Sequence, residues 1–321
     1  MAQSFDINSS TYAGELALPY IAPAILAADS IANNFITLKD GVKYKAVMKV
    51  LSGGTVKAAS CDFSPTTGSL DLNERILEVT DLMVNEELCK KDFRRDWEAM
   101  QTGNGFINDQ LPPNFESFLL LHLANTVQAA IENNIWQGNY DFTDGGNTGT
   151  TYAAFDGILN KIVAGTPGFE STEAGAFTAD ANATTGILTH LQTLVEGMPD
   201  AIQGDAETVI YMSRKSLFLL HRAMASVGVA GGVAPFVGQD RPTTYLGYNI
   251  IVPAGFPNDT LLGAQVKNLF FGTDTTNDYN QAVVVDMTQT DASDNVRVAM
   301  RFTGGCQVGV LADIAVVRRA S

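Results

Sequence analysis

The chain has 321 residues, 45% hydrophobic and 17% charged, with 20 basic residues against 35 acidic ones and a net charge of −15. That balance leaves no basic stripe for reading nucleic acid through its phosphates, which argues against sequence-specific DNA or RNA recognition. The low share of charge suits either a surface covered by partners or a chain rich in Gly, Thr, Asn and Ser loops, and the length suggests two or more folding regions.

Cys61, Cys89 and Cys306 are odd in number, far apart and without C-x-x-C spacing. Neither a disulfide framework nor a zinc site is indicated, and a reducing cytoplasm fits. The first basic residue is Lys39, and the apolar stretch 17–28 is interrupted by Pro19 and Pro23. The expectation is a soluble chain with no secretory signal and no membrane span.

Residues 1–35 mix small, polar and isolated apolar side chains, with weak helix near 22–32. They are predicted to lie as an arm along another surface, the chain's own or a neighbour's. From Gly41 to about Val84 the pattern is β. VKYKAVMKV alternates Lys43, Lys45 and Lys49 with apolar residues, with one slip near 46–48, and Ser52-Gly53-Gly54 marks a turn. TVKAASCDF, a turn at 65–68 and SLDLNERILEVTDLMV complete this region. Its charge is split: Lys43, Lys45, Lys49 and Lys57 meet no acid between Gly41 and Cys61, whereas Asp62, Asp71, Glu74, Glu78 and Asp81 face only Arg75. Two readings fit, cross-strand pairing inside one hairpin or a long polar hairpin that pairs with copies of itself.

EELCKKDFRRDWEAM, residues 86–100, has the spacing of an amphipathic helix, with Asn85 as cap and Leu88, Phe93 and Trp97 on its buried side. In PPNFESFLLLHLANTVQAAIENNIWQ, residues 112–137, Phe115, Leu119, Leu123, Val127, Ile131 and Ile135 recur at i+4, widened by Phe118, Leu121 and Ala130. A helix of roughly 25 residues and about 37 Å is predicted there, with Pro112 and Pro113 in its first turn, Asn114 as cap and Gly138 as stop. It is either a spine joining two lobes or an ordinary core helix of an α+β enzyme.

Between Asn139 and Thr208 ten acidic residues face one lysine. Helices are predicted at 155–163 and 184–198. Residues 208–212 read as a buried strand, Ser213 as a cap and 215–225 as a helix. SVGVAGGVAPFVGQDRP, residues 226–242, reads as a long Gly-rich connection, mobile or shaped by a partner. Residues 244–252 read as a strand with a bulge at Gly247. LLGA, NLFFGTD, AVVVDMTQ, VRVAMRFTGG and QVGVLADIAVVRR supply further strands. No helix separates the late ones, so they form a meander or return to pack on the long helix.

Chemistry is sparse. His122, His190 and His221 lack metal-ligand pairing, and His122 and His221 sit among leucines. No G-x-S-x-G elbow, dinucleotide fingerprint or P-loop lysine is present. Asp141, Asp144 and Asn147 lack the twelve-residue calcium loop. The sequence predicts no catalytic residue, no cofactor and no metal site.

The order of elements resembles a tailed-phage major capsid protein of the Hong Kong 97 type: a loose arm, a long β excursion, a spine helix, a central strand-and-helix lobe and a return to β. TVIYMSRKSLFLLHRAM looks like the axial-domain strand and helix. TTYLGYNIIVPAGFPNDTLLGAQVKNLFFGTD looks like the run of leucine-glycine strand, proline turn and glycine-ended strand. VRVAMRFTGGCQVGVLADIAVVRR looks like the closing peripheral strands. The resemblance implies an α+β, Hong Kong 97-like fold. Residues 1–35 would be the N-terminal arm, 36–80 the extended loop, 81–138 the peripheral domain with the spine at 112–137, 139–282 the axial domain, and 283–321 peripheral return strands.

It further implies a self-assembling structural protein forming hexamers and pentamers of an icosahedral shell around double-stranded DNA, which it encloses without reading sequence. Its place would be the virion capsid, assembled in the host bacterial cytoplasm. A portal and a scaffold or decoration protein would be partners, and the excess negative charge suits a shell that does not stick to packaged DNA. Chain-to-chain contacts are then expected at Lys43, Lys45, Lys49, Lys57, Asp62, Asp71 and Glu74 of the loop, reaching Asp81, and at Gly231, Gly232 and Arg241 of the Gly-rich connection. An encapsulin-like compartment shell and an α+β enzyme using His190 or residues 141–144 are the alternatives.

Overall fold

The computed structural model describes residues 10–13, 28–52, 71–89, 113–139, 154–180, 183, 185–230, 243–274, 281–287, 293 and 295–319. The chain opens with β1 (Ser10–Ala13), the short helix α1 (Asp29–Ala32) and β2 (Thr37–Lys39). Strands β3 (Lys45–Ser52), β4 (Asp71–Glu78) and β5 (Thr80–Cys89) precede the long helix α2 (Pro113–Gln137). Then come α3 (Ile158–Ala164), β6 (Phe169–Glu173), α4 (Ile187–Glu196), β7 (Thr208–Met212) and α5 (Arg214–Ala230). The remainder is strand: β8 (Thr244–Tyr245), β9 (Tyr248–Ile251), β10 (Thr260–Gln265), β11 (Leu269–Gly272), β12 (Gln281–Asp286), β13 (Asn295–Val308) and β14 (Ala315–Arg319).

The strands form two six-stranded sheets and a separate hairpin. The first sheet runs β1-β12-β13-β11-β2, with β5 also paired to β13; the second runs β6-β14-β10-β7-β9-β8; β3 and β4 pair with each other. In the second sheet β7 and β10 are buried along nearly their whole length, because successive side chains serve opposite faces. Val209, Tyr211, Leu262, Ala264 and Val316 join the core that contains α2, α3 and the first sheet. Ile210, Met212, Leu261, Ala315 and Val317 join a second core beneath α4 and α5. The second sheet is thus the partition between two cores, and this explains its near-continuous apolar runs.

Helix α2 buries Val127, Ile131 and Ile135 at the expected four-residue interval. Ala130, expected on that stripe, is exposed, and Glu132 and Trp136 take the buried side instead. The helix starts at Pro113, so Asn114 lies inside the first turn and not at the cap position. At its other end Gly138 and Gly157 touch. A Cβ on Gly157 would lie 2.6 Å from the Asn134 carbonyl oxygen and from the Gly138 nitrogen, so only glycine permits this approach of backbones.

The expected helix at 86–100 is corrected over its first residues, since Glu86 to Cys89 continue β5; residues 90–100 lie outside the described residues. The strand wins because β13 offers ten residues of antiparallel ladder, and because Glu87 falls directly opposite Arg297 and binds it at 3.0 Å. Leu82 and Val84 face the core while Asp81, Met83 and Asn85 stay exposed. Gly247 is not a bulge. Leu246 (φ 48°) and Gly247 (φ 91°) both adopt positive φ between β8 and β9, the requirement of a two-residue hairpin turn, so one expected strand is two.

Helix α5 runs on to Ala230 through Ser226 and Gly228, expected to be loop. Strand β13 passes unbroken through Gly304-Gly305, merging two expected strands. Strand β11, within 139–282, lies in the first sheet, and β14, within 283–321, lies in the second. Ser213 does cap α5, its Oγ accepting from the Ser216 amide at 3.1 Å.

Candidate functional site

Three features stand out from the packed body: the β3–β4 hairpin, the arm's anchorage, and the exposed surface of the second sheet's helices. The hairpin ladder is regular from Lys45 opposite Glu78 to Ser52 opposite Asp71. The slip suspected at 46–48 is therefore no irregularity. Val47 shares the face of the lysines and lies opposite Ile76. On that face two ion pairs, Lys45–Glu78 at 3.2 Å and Lys49–Glu74 at 3.7 Å, flank the apolar pair. Val47 is 51% and Ile76 47% exposed, a half-exposed β-branched pair. Hydrogen bonding to Glu78 and to the Tyr44 hydroxyl raises the Lys45 pKa. Solvent screens such exposed ion pairs strongly, so they contribute little to stability.

The opposite face of the hairpin is its attachment. Leu77 and Val79 are buried with Val42, and Ala46 and Met48 pack against them. Gln307 Nε2 donates to the Ile76 carbonyl at 2.6 Å, the Val42 amide donates to the Thr273 carbonyl at 3.2 Å, and Thr80 Oγ1 donates to the Gly304 carbonyl at 3.1 Å. A Cβ on Gly305 would lie 2.1 Å from the Glu78 carbonyl oxygen, so this glycine of β13 is what admits the hairpin root.

The arm is held by a buried network. Glu132, 4% exposed, accepts from the Ser30 amide at 3.0 Å and from Ser30 Oγ at 2.6 Å. Trp136 Nε1 donates to Ser30 Oγ at 2.7 Å and to Glu132 Oε1 at 3.2 Å, and the Gly255 amide reaches the same oxygen at 3.5 Å. Trp136 also packs against Tyr211 and Phe256, with ring centroids 5.2 and 5.1 Å apart, and the Tyr211 hydroxyl donates to the Phe35 carbonyl at 2.6 Å. Burial pushes the Tyr211 phenol well above its ordinary pKa. Arm, long helix and second sheet meet here. Further out, β1 of the arm adds to the chain's own β12 as an antiparallel edge strand.

Lys43, Lys45, Lys49 and Glu74 are exposed at or on the hairpin, and Asp71 begins β4; Asp81 lies on β5. Lys57, Asp62, Gly231, Gly232 and Arg241 lie outside the described residues. Sequence reasoning missed the Val47–Ile76 pair, whose signal was an apolar residue on the lysine face of an alternating strand. His190, weighed for an enzyme, is 1% exposed and stacked on Phe177 with centroids 4.4 Å apart; its Nδ1 is 3.8 Å from Glu173. Burial lowers its pKa, against the opposing pull of Glu173 and a hydrogen bond to the Thr185 backbone. Cys306 is buried in the first core, and burial raises its thiol pKa. Among the described residues no three His, Cys, Asp or Glu side chains gather as metal ligands, and no helix is long and apolar enough to cross a membrane.

No protein-family model matches the sequence, and no curated protein sequence matches it either. Solved structures do. A chain of the satellite phage P4 procapsid, which includes a size determination (Sid) protein, superposes with a TM-score of 0.62 at 12% identity, over 99% of this chain and 94% of that one. The capsid of a native GTA particle gives 0.57 at 14% identity over 92% and 90%, and a protein of Gordonia phage Cozz 0.54 at 14% over 91% and 87%. The chain has the fold of these three chains, α+β over essentially its whole length.

Proposed function

We infer that this chain is a major capsid protein, the shell subunit of a tailed double-stranded DNA phage. The observation that carries the reading is mutual coverage: nearly all of this chain is matched by nearly all of a procapsid chain. A small domain shared between unrelated enzymes would leave most of one partner unmatched, and fold likeness alone would say little about function.

The work of such a subunit is done by its surfaces. The hairpin projects an apolar pair framed by charges of both signs, a composition suited to a contact on a neighbouring copy. Lys43, Lys45, Lys49, Lys57, Asp62, Asp71 and Glu74 would border that contact, with Gly231, Gly232 and Arg241 contributing near a capsomer axis. The expected division of the chain into arm, extended loop, peripheral and axial domains belongs to the same proposal. So do assembly into hexamers and pentamers, enclosure of DNA without sequence reading, portal, scaffold or decoration partners, and a role that needs no catalysis or cofactor.

Negative-stain electron microscopy of the expressed chain tests this. Closed shells, tubes or rings of five or six subunits are expected. A chain that stays monomeric or dimeric alone and when co-expressed with the other structural proteins of its phage would overturn it. Lys49→Glu with Lys57→Glu is expected to reduce assembly while the subunit remains folded by circular dichroism.

A further inference from the structure

The outer face of α5 has no role in the packing described above. Arg214, Phe218 and Arg222 follow at four-residue intervals and therefore share one side of the helix. All three are exposed, Phe218 by 65%, while Leu220 and Ala223 hold the opposite side in the second core. Lys215 beside them reaches Asp259 at 3.8 Å, whereas neither Arg214 nor Arg222 has an acidic partner among the described residues. An exposed aromatic between two exposed arginines has the composition of an interface centre and not of a solvated face.

The same lobe carries the opposite charge on the turn between α4 and β7. Glu196, Asp200 and Glu207 are exposed there and Asp205 is half-buried, with Lys267 as the nearby cation, bound to Glu207 at 2.6 Å. This turn ends where β7 begins, and α5 begins where β7 ends. The strand spans about 16 Å, which keeps Arg214 from reaching the turn of its own subunit.

We propose that α5 docks through Arg214, Phe218 and Arg222 on the acidic turn 196–207 of a second copy of this chain. The contact is head-to-tail: each subunit offers one patch forward and the other backward, so successive copies close into a ring where the rotation permits. Opposite charge aligns the pair, and Phe218 supplies the apolar centre. The proposal rests on the shell-subunit reading and gives that reading one contact at residue level.

Charge reversal tests it. Arg214→Glu with Arg222→Glu, or Glu196→Lys with Asp200→Lys, is expected to lower the assembled fraction in sedimentation by at least about tenfold, since each change sets like charges face to face. Each variant should keep the wild-type circular dichroism. An equal mixture of the two is expected to regain assembly, because alternating subunits restore opposite charges at every contact. Even-membered rings accept that alternation and five-membered rings do not. Phe218→Cys with Asp200→Cys should give disulfide-linked multimers on oxidation of assembled wild-type-like particles, and their absence would overturn the contact. So would normal assembly by either reversal variant alone. Duplex DNA binding lost in the arginine variant with assembly intact would place nucleic acid on α5 instead. If the reversal variants assemble normally, this contact falls and the shell reading stands; if the wild type never assembles, both fall.

Discussion

Glu132 sits in the interior with four donors aimed at it from three parts of the chain: the amide and hydroxyl of Ser30, the indole of Trp136 and the amide of Gly255. Removing one donor leaves a buried polar group under-satisfied, which costs about 1–3 kcal/mol. Ser30→Ala is therefore expected to lower unfolding stability by that amount in urea titration, and Ser30→Thr to recover part of it; an unchanged midpoint for Ser30→Ala would contradict the network's role. His190 makes a different demand. Its pKa is lowered from the ordinary 6.5 chiefly by burial, so the unfolded chain takes up its proton more readily than the folded one. Stability is then full above about pH 6.5 and falls as pH drops below it. His190→Leu should flatten part of that slope in thermal melts between pH 7.5 and 5.5, and an unaltered slope would count against it.

At the scale of elements, the hairpin divides its two faces between attachment and display. Val47→Ser with Ile76→Ser changes exposed side chains and is expected to shift stability by no more than about 0.5 kcal/mol, while reducing assembly as read by light scattering. A large loss of stability would mean that the pair is packed, not displayed. Much of this level was legible in the sequence. The long helix, the strand 208–212 and the Ser213 cap follow from periodicity and local chemistry alone. What escaped depended on partners distant in sequence. Residues 86–89 have helical spacing, yet a complementary ladder and Arg297 some two hundred residues away draw them into a strand. Gly304-Gly305 looks like a stop, yet β13 runs through it, and Gly305 must lack a side chain so that Glu78 can pass. The charges of the hairpin dominate its sequence pattern, and two of its lysines pair across the strands, Lys45 with Glu78 and Lys49 with Glu74. The apolar pair between them carried a weaker signal.

For the whole molecule, the second sheet separates two cores and the arm, long helix and sheet meet at Trp136. Sequence identity of 12–14% with chains of the same fold is what such an architecture permits. Alternation, burial and a few glycines must persist, and almost any apolar residue of suitable size satisfies the rest. Trp136→Ala should be severely destabilising, at about 3–5 kcal/mol, because it opens a cavity where three parts of the chain join. Loss of soluble protein or a melting point lowered by many degrees is expected, and a near-wild-type melting point would contradict the central place given to it.

The most direct measurement is a cryo-electron microscopy reconstruction of particles assembled from this chain. The expected result is a shell built from the chain, with the hairpin's Val47–Ile76 face lying on an adjacent subunit. A particle in which that face meets only solvent, or a reconstruction that places the chain outside the shell layer, would contradict it.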